Sequence, residues 1–98
     1  MFLSCADAEL QAFVRNTLGA LLEYETDHPG ANLTHTLSAF LTHNRTVADT
    51  ARALYVHYNT VRYRLDRIES LVGPLVGDAD HCLRLEVALR ARALLTES

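Results

Sequence analysis

The chain has 98 residues, 49% of them hydrophobic and 21% charged, with four glycines, two prolines and a formal net charge of −3. That size supports one hydrophobic core, read as a single domain over 1–98, and the composition excludes a disordered chain. No apolar run approaches the roughly 20 residues that cross a bilayer, and Met1–Ala6 lacks the basic flank and long apolar stretch of an export signal, so a cytoplasmic protein without membrane contact is expected.

Helical periodicity runs throughout and no β-branched stretch alternates with period two, so the expected fold class is all-α, a compact bundle of about five helices. Asp7 is placed as the cap of a first helix carrying Leu10, Phe13, Val14, Leu18, Leu21 and Leu22 at helical spacing. It should end near Tyr24, ahead of the polar stretch that begins at Glu25 and the break His28-Pro29-Gly30. A second helix aligns Leu33, Leu37, Phe40 and Leu41 and stops around His43-Asn44-Arg45. Thr46 caps a short third helix, Val47 to about Leu54, in which Asp49 complements the dipole. Leu54-Tyr55-Val56 leads into a fourth helix, about Tyr58 to Val72, closed by Gly73-Pro74. After the loop from Leu75 to Ala79, Asp80 is expected to cap a fifth helix reaching about Leu95. Its apolar residues (Leu83, Val87 and Leu94 on one side, Leu85, Leu89 and the alanines elsewhere) cover more than half its surface. Such a helix is either central to the core or shared with a second subunit.

Catalytic and metal chemistry find no support. Cys5 and Cys82 form neither a CxxC nor a Cys/His pair at ligand spacing and are each read as a buried free thiol. His35 and His43 lie on one side of the predicted second helix, yet eight residues apart, too far to share a metal. There is no Ser/His/Asp set, no paired carboxylates and no glycine-rich phosphate loop. Neither enzymatic activity nor a cofactor is expected.

The functional signal lies at about 46–72. On the fourth helix Val61, Leu65, Ile68 and Val72 share an inward stripe, which turns Asn59, Arg62, Tyr63, Asp66, Arg67 and Ser70 outward. The third helix points Val47, Ala51 and Leu54 inward. Ala51 is the small residue that a wide helix crossing needs, and Val56 plugs the angle between the helices. This is a helix-turn-helix pattern, suited to placing one helix in the major groove of DNA. From Arg45 to Arg67 five arginines face Asp49 and Asp66, a local balance of +3 that leaves −6 on the other 75 residues. All nine cationic side chains are arginine, which gives bidentate contacts that lysine does not. An acidic body with one basic face suits a selective reader of a polyanion.

Roles follow from position. Arg62 is assigned to base reading, most simply bidentate to guanine, a contact worth about 1–3 kcal/mol of discrimination. Tyr58 and Thr60 offer hydroxyls to phosphate, and His57 caps the helix and touches the DNA backbone. Asn59 either reads adenine or acts locally at the helix start, and Tyr63 either lines the groove or packs. Arg64 clamps a phosphate or an intramolecular carboxylate. Arg67 is a rim contact or a salt-bridge partner of Asp66 or Glu69. Arg45 and Thr46 open the third helix, where free backbone N–H groups attract phosphate, with capping as the alternative role for Thr46.

The segments Leu33-Thr-His-Thr-Leu-Ser-Ala-Phe-Leu41, Val47-Ala-Asp-Thr-Ala-Arg-Ala-Leu54 and His57-Tyr-Asn-Thr-Val-Arg-Tyr-Arg-Leu65 closely resemble the C-terminal helix-turn-helix domain of PucR/CdaR-type bacterial transcriptional regulators. The resemblance extends through Arg67-Ile68 and Gly73 to Ala88-Leu89, and a more distant similarity reaches the Fis-type DNA-binding helix pair, which allows a free-standing DNA-bending protein. It implies sequence-specific binding of double-stranded DNA by the output domain of a longer regulator. The recognition helix, about 58–72, would enter the major groove, and an upstream sensory domain on the same polypeptide would detect a metabolite such as a purine or sugar acid. Two positions depart from the pattern. Tyr58 stands where the family often has arginine, and Tyr55 where related helix pairs often have glycine. A positive φ at Tyr55 would cost roughly 1–2 kcal/mol. A homodimer on a two-fold related site is expected, because one helix reads only a few base pairs, and the first and fifth helices carry the surplus apolar residues. The alternative is a helical interaction or dimerisation module that keeps the fold without binding DNA. The acidic total, Tyr58 and Asp66 favour it, and the clustered arginines oppose it.

Overall fold

In a computed structural model, which describes residues 5–97, the expected helices follow in order: α1 (Cys5–Asp27), α2 (Leu33–Thr42), α3 (Val47–Leu54), α4 (Tyr58–Val72) and α5 (Ala79–Glu97). The segment Met1–Ser4 and the side chain of Cys5 lie outside the described part. Leu18, Leu21, Leu37, Val61, Ile68, Leu85 and Ala88 are fully excluded from solvent and form the centre of one core. α5 lies along α1 and turns Cys82, Leu85, Ala88 and Ala91 inward. The Cys82 thiol is free and buried, as expected, and donates to Leu75 O at 3.1 Å. α4 is packed from three sides, by α1, α2 and α3.

Three helix ends differ from the sequence expectation. α1 starts at Cys5, which puts Asp7 inside the first turn instead of at the cap. It also continues past Tyr24 to Asp27: Thr26 Oγ1 donates to Leu22 O at 3.0 Å, and His28 N still reaches Tyr24 O at 2.9 Å. The polar run marks where the core ends, whereas the stop is made by Pro29 and by Gly30 at φ +91°. α5 is capped by Asp78, not Asp80: its Oδ1 accepts from His81 N at 3.0 Å and its carbonyl accepts from Cys82 N at 3.1 Å. Asp80 falls in the first turn, where its charge suits the dipole.

The start of α2 is closed from another helix. Asn32, left-handed at φ 56°, makes no side-chain cap. The carboxylate of Glu25 on α1 takes that place, accepting from Leu33 N at 3.0 Å and from the Thr34 hydroxyl. Two threonines, Thr36 and Thr50, are wholly buried. Each returns its hydroxyl proton to the carbonyl four residues back, Asn32 O at 2.6 Å and Thr46 O at 2.7 Å, so neither leaves a polar orphan in the core.

The turn between α3 and α4 is a Schellman closure. Tyr55 N donates to Arg52 O at 3.3 Å and Val56 N to Ala51 O at 3.1 Å. That geometry requires a left-handed residue, and Tyr55 adopts φ 57°, ψ 42°. Ala51 is buried at the helix crossing and Val56 packs half-buried against the core, as their spacing implied.

Candidate nucleic-acid interface

The core-facing stripe of α4 sets its outer face. Val61, Leu65 and Ile68 are at most 6% exposed, which leaves Asn59, Arg62, Tyr63, Asp66, Arg67 and Ser70 in solvent, the set expected from periodicity. His57 sits extended at φ −67°, ψ 147° and caps the helix, its Nδ1 accepting from Asn59 N at 3.0 Å. With Nδ1 engaged as acceptor, the neutral ring carries its proton on Nε2, so an N–H donor remains at the mouth of α4. Tyr58 beside it is 45% exposed and Thr60 is half-buried.

The arginines separate into distinct environments. Arg62 is exposed and makes no ion pair among the described residues. Arg52 is drawn to Asp49 on α3, which neutralises that pair internally. Arg64 is half-buried, and its partner is neither carboxylate nor solvent alone: Nη1 donates to Thr36 Oγ1 at 3.2 Å. Arg45 opens α3 from a tight corner in which Asn44 and Arg45 are both left-handed, at φ 58° and 55°. Its amide donates to Phe40 O at 2.9 Å. Thr46 is the cap, its hydroxyl accepting from Asp49 N at 3.3 Å.

Of the two roles expected for Arg67, the salt bridge is not formed. The guanidinium pairs with neither Asp66 nor Glu69, because the Glu69 carboxylate accepts from Leu75 N at 3.0 Å. Instead Arg67 Nη2 donates to Tyr63 Oη at 3.4 Å, and its Cζ lies 5.6 Å from the Tyr24 ring and 5.9 Å from the Tyr63 ring. The hydrogen bond to Tyr63, then the charges that Tyr24 and Tyr63 carry at high pH, raises the guanidinium above its usual range, so it is cationic at any working pH. Sequence reasoning placed Tyr24 only as a helix end. Its spacing from Leu21 continues the inward side of α1, but nothing local links it to a residue on α4.

Among the described residues no group of three or more His, Cys, Asp or Glu is placed to hold a metal, and no helix is long and apolar enough to cross a membrane. The surplus apolar side of α5 is real: Leu83 is 60%, Val87 45% and Leu94 66% exposed. Among the described residues, α1 exposes no large hydrophobic side chain.

Comparison with known proteins bears on what this face does. The sequence matches the family model of the PucR C-terminal helix-turn-helix domain over residues 33–91, which takes in α2, α3, α4 and most of α5. It is 39% identical over 88 residues to the purine catabolism regulatory protein of Bacillus subtilis (strain 168), covering 90% of this chain and 16% of that protein. Identity to the carbohydrate diacid regulator of Escherichia coli (strain K12) is 45% over 58 residues, 59% of this chain and 15% of the relative. With the transcriptional activator PmfR of Paenarthrobacter nicotinovorans it is 42% over 65 residues, 66% and 13% respectively. The chain thus spans less than a fifth of the length of each of these three relatives. No solved structure matches it at a significant level.

Proposed function

Because the chain belongs to the family of PucR C-terminal helix-turn-helix domains, a family of DNA-binding regulators, we propose that α4 enters the major groove of double-stranded DNA and reads sequence there for a longer transcription regulator. The observation that carries this reading is the split of α4 into a sealed aliphatic side and a solvent-facing side with Asn59, Arg62, Tyr63 and Arg67. Arg62, exposed and without an ionic partner near the start of the helix, is the base reader, with Asn59 beside it. His57 Nε2, Tyr58 and Thr60 contact the backbone at the mouth of α4, and Arg45 and Thr46 do so at the start of α3. Arg64 serves mainly to seat the helix through Thr36.

The regulator acts in the cytoplasm as a homodimer on paired half-sites. The exposed Leu83, Val87 and Leu94 of α5 support that face as the dimer contact. A sensory region on the same polypeptide precedes this domain. The names of two relatives, which refer to purine catabolism and to carbohydrate diacids, favour a small metabolite as its effector.

The test is binding of the chain to duplexes recovered from a randomised pool, measured across a salt series. The reading requires affinity that falls steeply with salt, and Arg62→Ala should lower the preference for recovered over random sequence by about 1–3 kcal/mol. A flat salt response with no effect of Arg62→Ala would leave a helical interaction module as the better account.

A further inference from the structure

Arg67 sits on the second half of α4, yet its surroundings are not those of a free surface arginine. Two rings hold it, Tyr63 one turn earlier on its own helix and Tyr24 near the end of α1, at 5.9 and 5.6 Å from Cζ. Tyr24 is itself fixed. It packs half-buried against the core and stacks on His28 with ring centroids 4.0 Å apart and planes 11° from parallel, while His28 Nδ1 lies 2.9 Å from Tyr24 O. The carboxylates expected to consume the charge do not: Glu69 closes the loop at Leu75, and Asp66 forms no ion pair among the described residues. A guanidinium laid against ring faces keeps its N–H edge open, and that edge is the part that grips a phosphate. One N–H is taken by Tyr63, and the exposed remainder of the fork stays available. A loose arginine must be ordered when it binds an anion, and an arginine held against two rings would meet less of that cost.

We propose that Tyr24 is a positioning residue of the DNA-binding surface: with Tyr63 it holds Arg67 as a preformed clamp for one backbone phosphate beside the groove that α4 enters. The interface then extends beyond the helix-turn-helix onto α1, outside the matched residues 33–91. This rests on the DNA-binding reading above and adds a residue to it.

The experiment compares the chain with its Arg67→Ala, Tyr24→Leu, Tyr24→Phe and double Tyr24→Leu/Arg67→Ala variants on one duplex recovered from the randomised pool. Loss of one phosphate contact lowers the slope of log affinity against log salt by about one. Arg67→Ala and Tyr24→Leu should each do so, the double variant should bind no more weakly than Arg67→Ala, and Tyr24→Phe should restore the original slope. A folded Tyr24→Leu variant with an undiminished slope, or single effects that multiply in the double variant, overturns the proposal. A second readout needs no DNA: the Arg67 Nε–H vector should be ordered in nitrogen relaxation of the original chain and of Tyr24→Phe, and mobile already in the original chain if the clamp is wrong. If Arg62→Ala abolishes sequence preference while Arg67→Ala leaves the slope intact, the clamp fails and the DNA reading stands. If the original slope is flat and Arg62→Ala is silent, both fall.

Discussion

The guanidinium of Arg64 donates to the hydroxyl of Thr36 across the α2–α4 contact, Nη1 to Oγ1 3.2 Å, and that hydroxyl donates onward to Asn32 O at 2.6 Å. The next residue, Leu33, gives its amide to Glu25 of α1. A polar chain therefore runs from α4 through the start of α2 to the end of α1, alongside the apolar packing that seats α4.

Thr36→Val keeps the shape of the buried side chain and removes the hydroxyl that both accepts from Arg64 and donates to Asn32. Stability to urea should fall by about 1.5–3 kcal/mol, the scale of a hydrogen bond with a charged donor. Thr36→Ser should recover part of it. A midpoint unchanged in Thr36→Val would show that the Arg64 contact contributes nothing to seating α4.

Glu25→Ala removes a cap that comes from a neighbouring helix. The expected loss is about 1 kcal/mol, with faster amide hydrogen exchange at Leu33 as its local signature. Equal exchange at Leu33 in both proteins would contradict the role given to this carboxylate.

Tyr55 holds a left-handed backbone while its ring is 95% exposed, so packing does not offset the strain. Tyr55→Gly should raise stability by about 0.5–1 kcal/mol, because relief of about 1–2 kcal/mol is partly cancelled by the freer unfolded chain. Tyr55→Val should lower stability, since a β-branched residue tolerates this φ poorly. Thermal melts showing glycine below tyrosine would refute the strain argument.

On α5 the exposed Leu83 and Val87 are one helical turn apart. Sedimentation of the original chain should show a concentration-dependent dimer, and the joint Leu83→Glu, Val87→Glu variant should remain monomeric with its helix content intact. A dimer that survives both charges would move the contact elsewhere on the molecule.

The two faces of α4 were legible in the sequence because burial sorts residues with the helical period: Val61, Leu65 and Ile68 inward, Arg62 and Tyr63 outward. Thr46 and His57 were equally legible as caps, since a cap acts on amides two or three residues away. The resemblance in 33–65 was legible as well, because it rests on contiguous motifs. Helix ends were less so. Asp78 and Asp80 are comparable caps by type, and the path of the loop after Gly73 selects between them.

The contacts between helices, Tyr24 with Arg67, Glu25 with Leu33 and Thr36 with Arg64, have no local signature. Local sequence carried the periodicity, the turn chemistry and the charge pattern, since each is set by residues within a few positions of one another. The packing of α1, α2 and α4 against one another decided the rest, because a contact between different helices exists only once the core has fixed how they lie together.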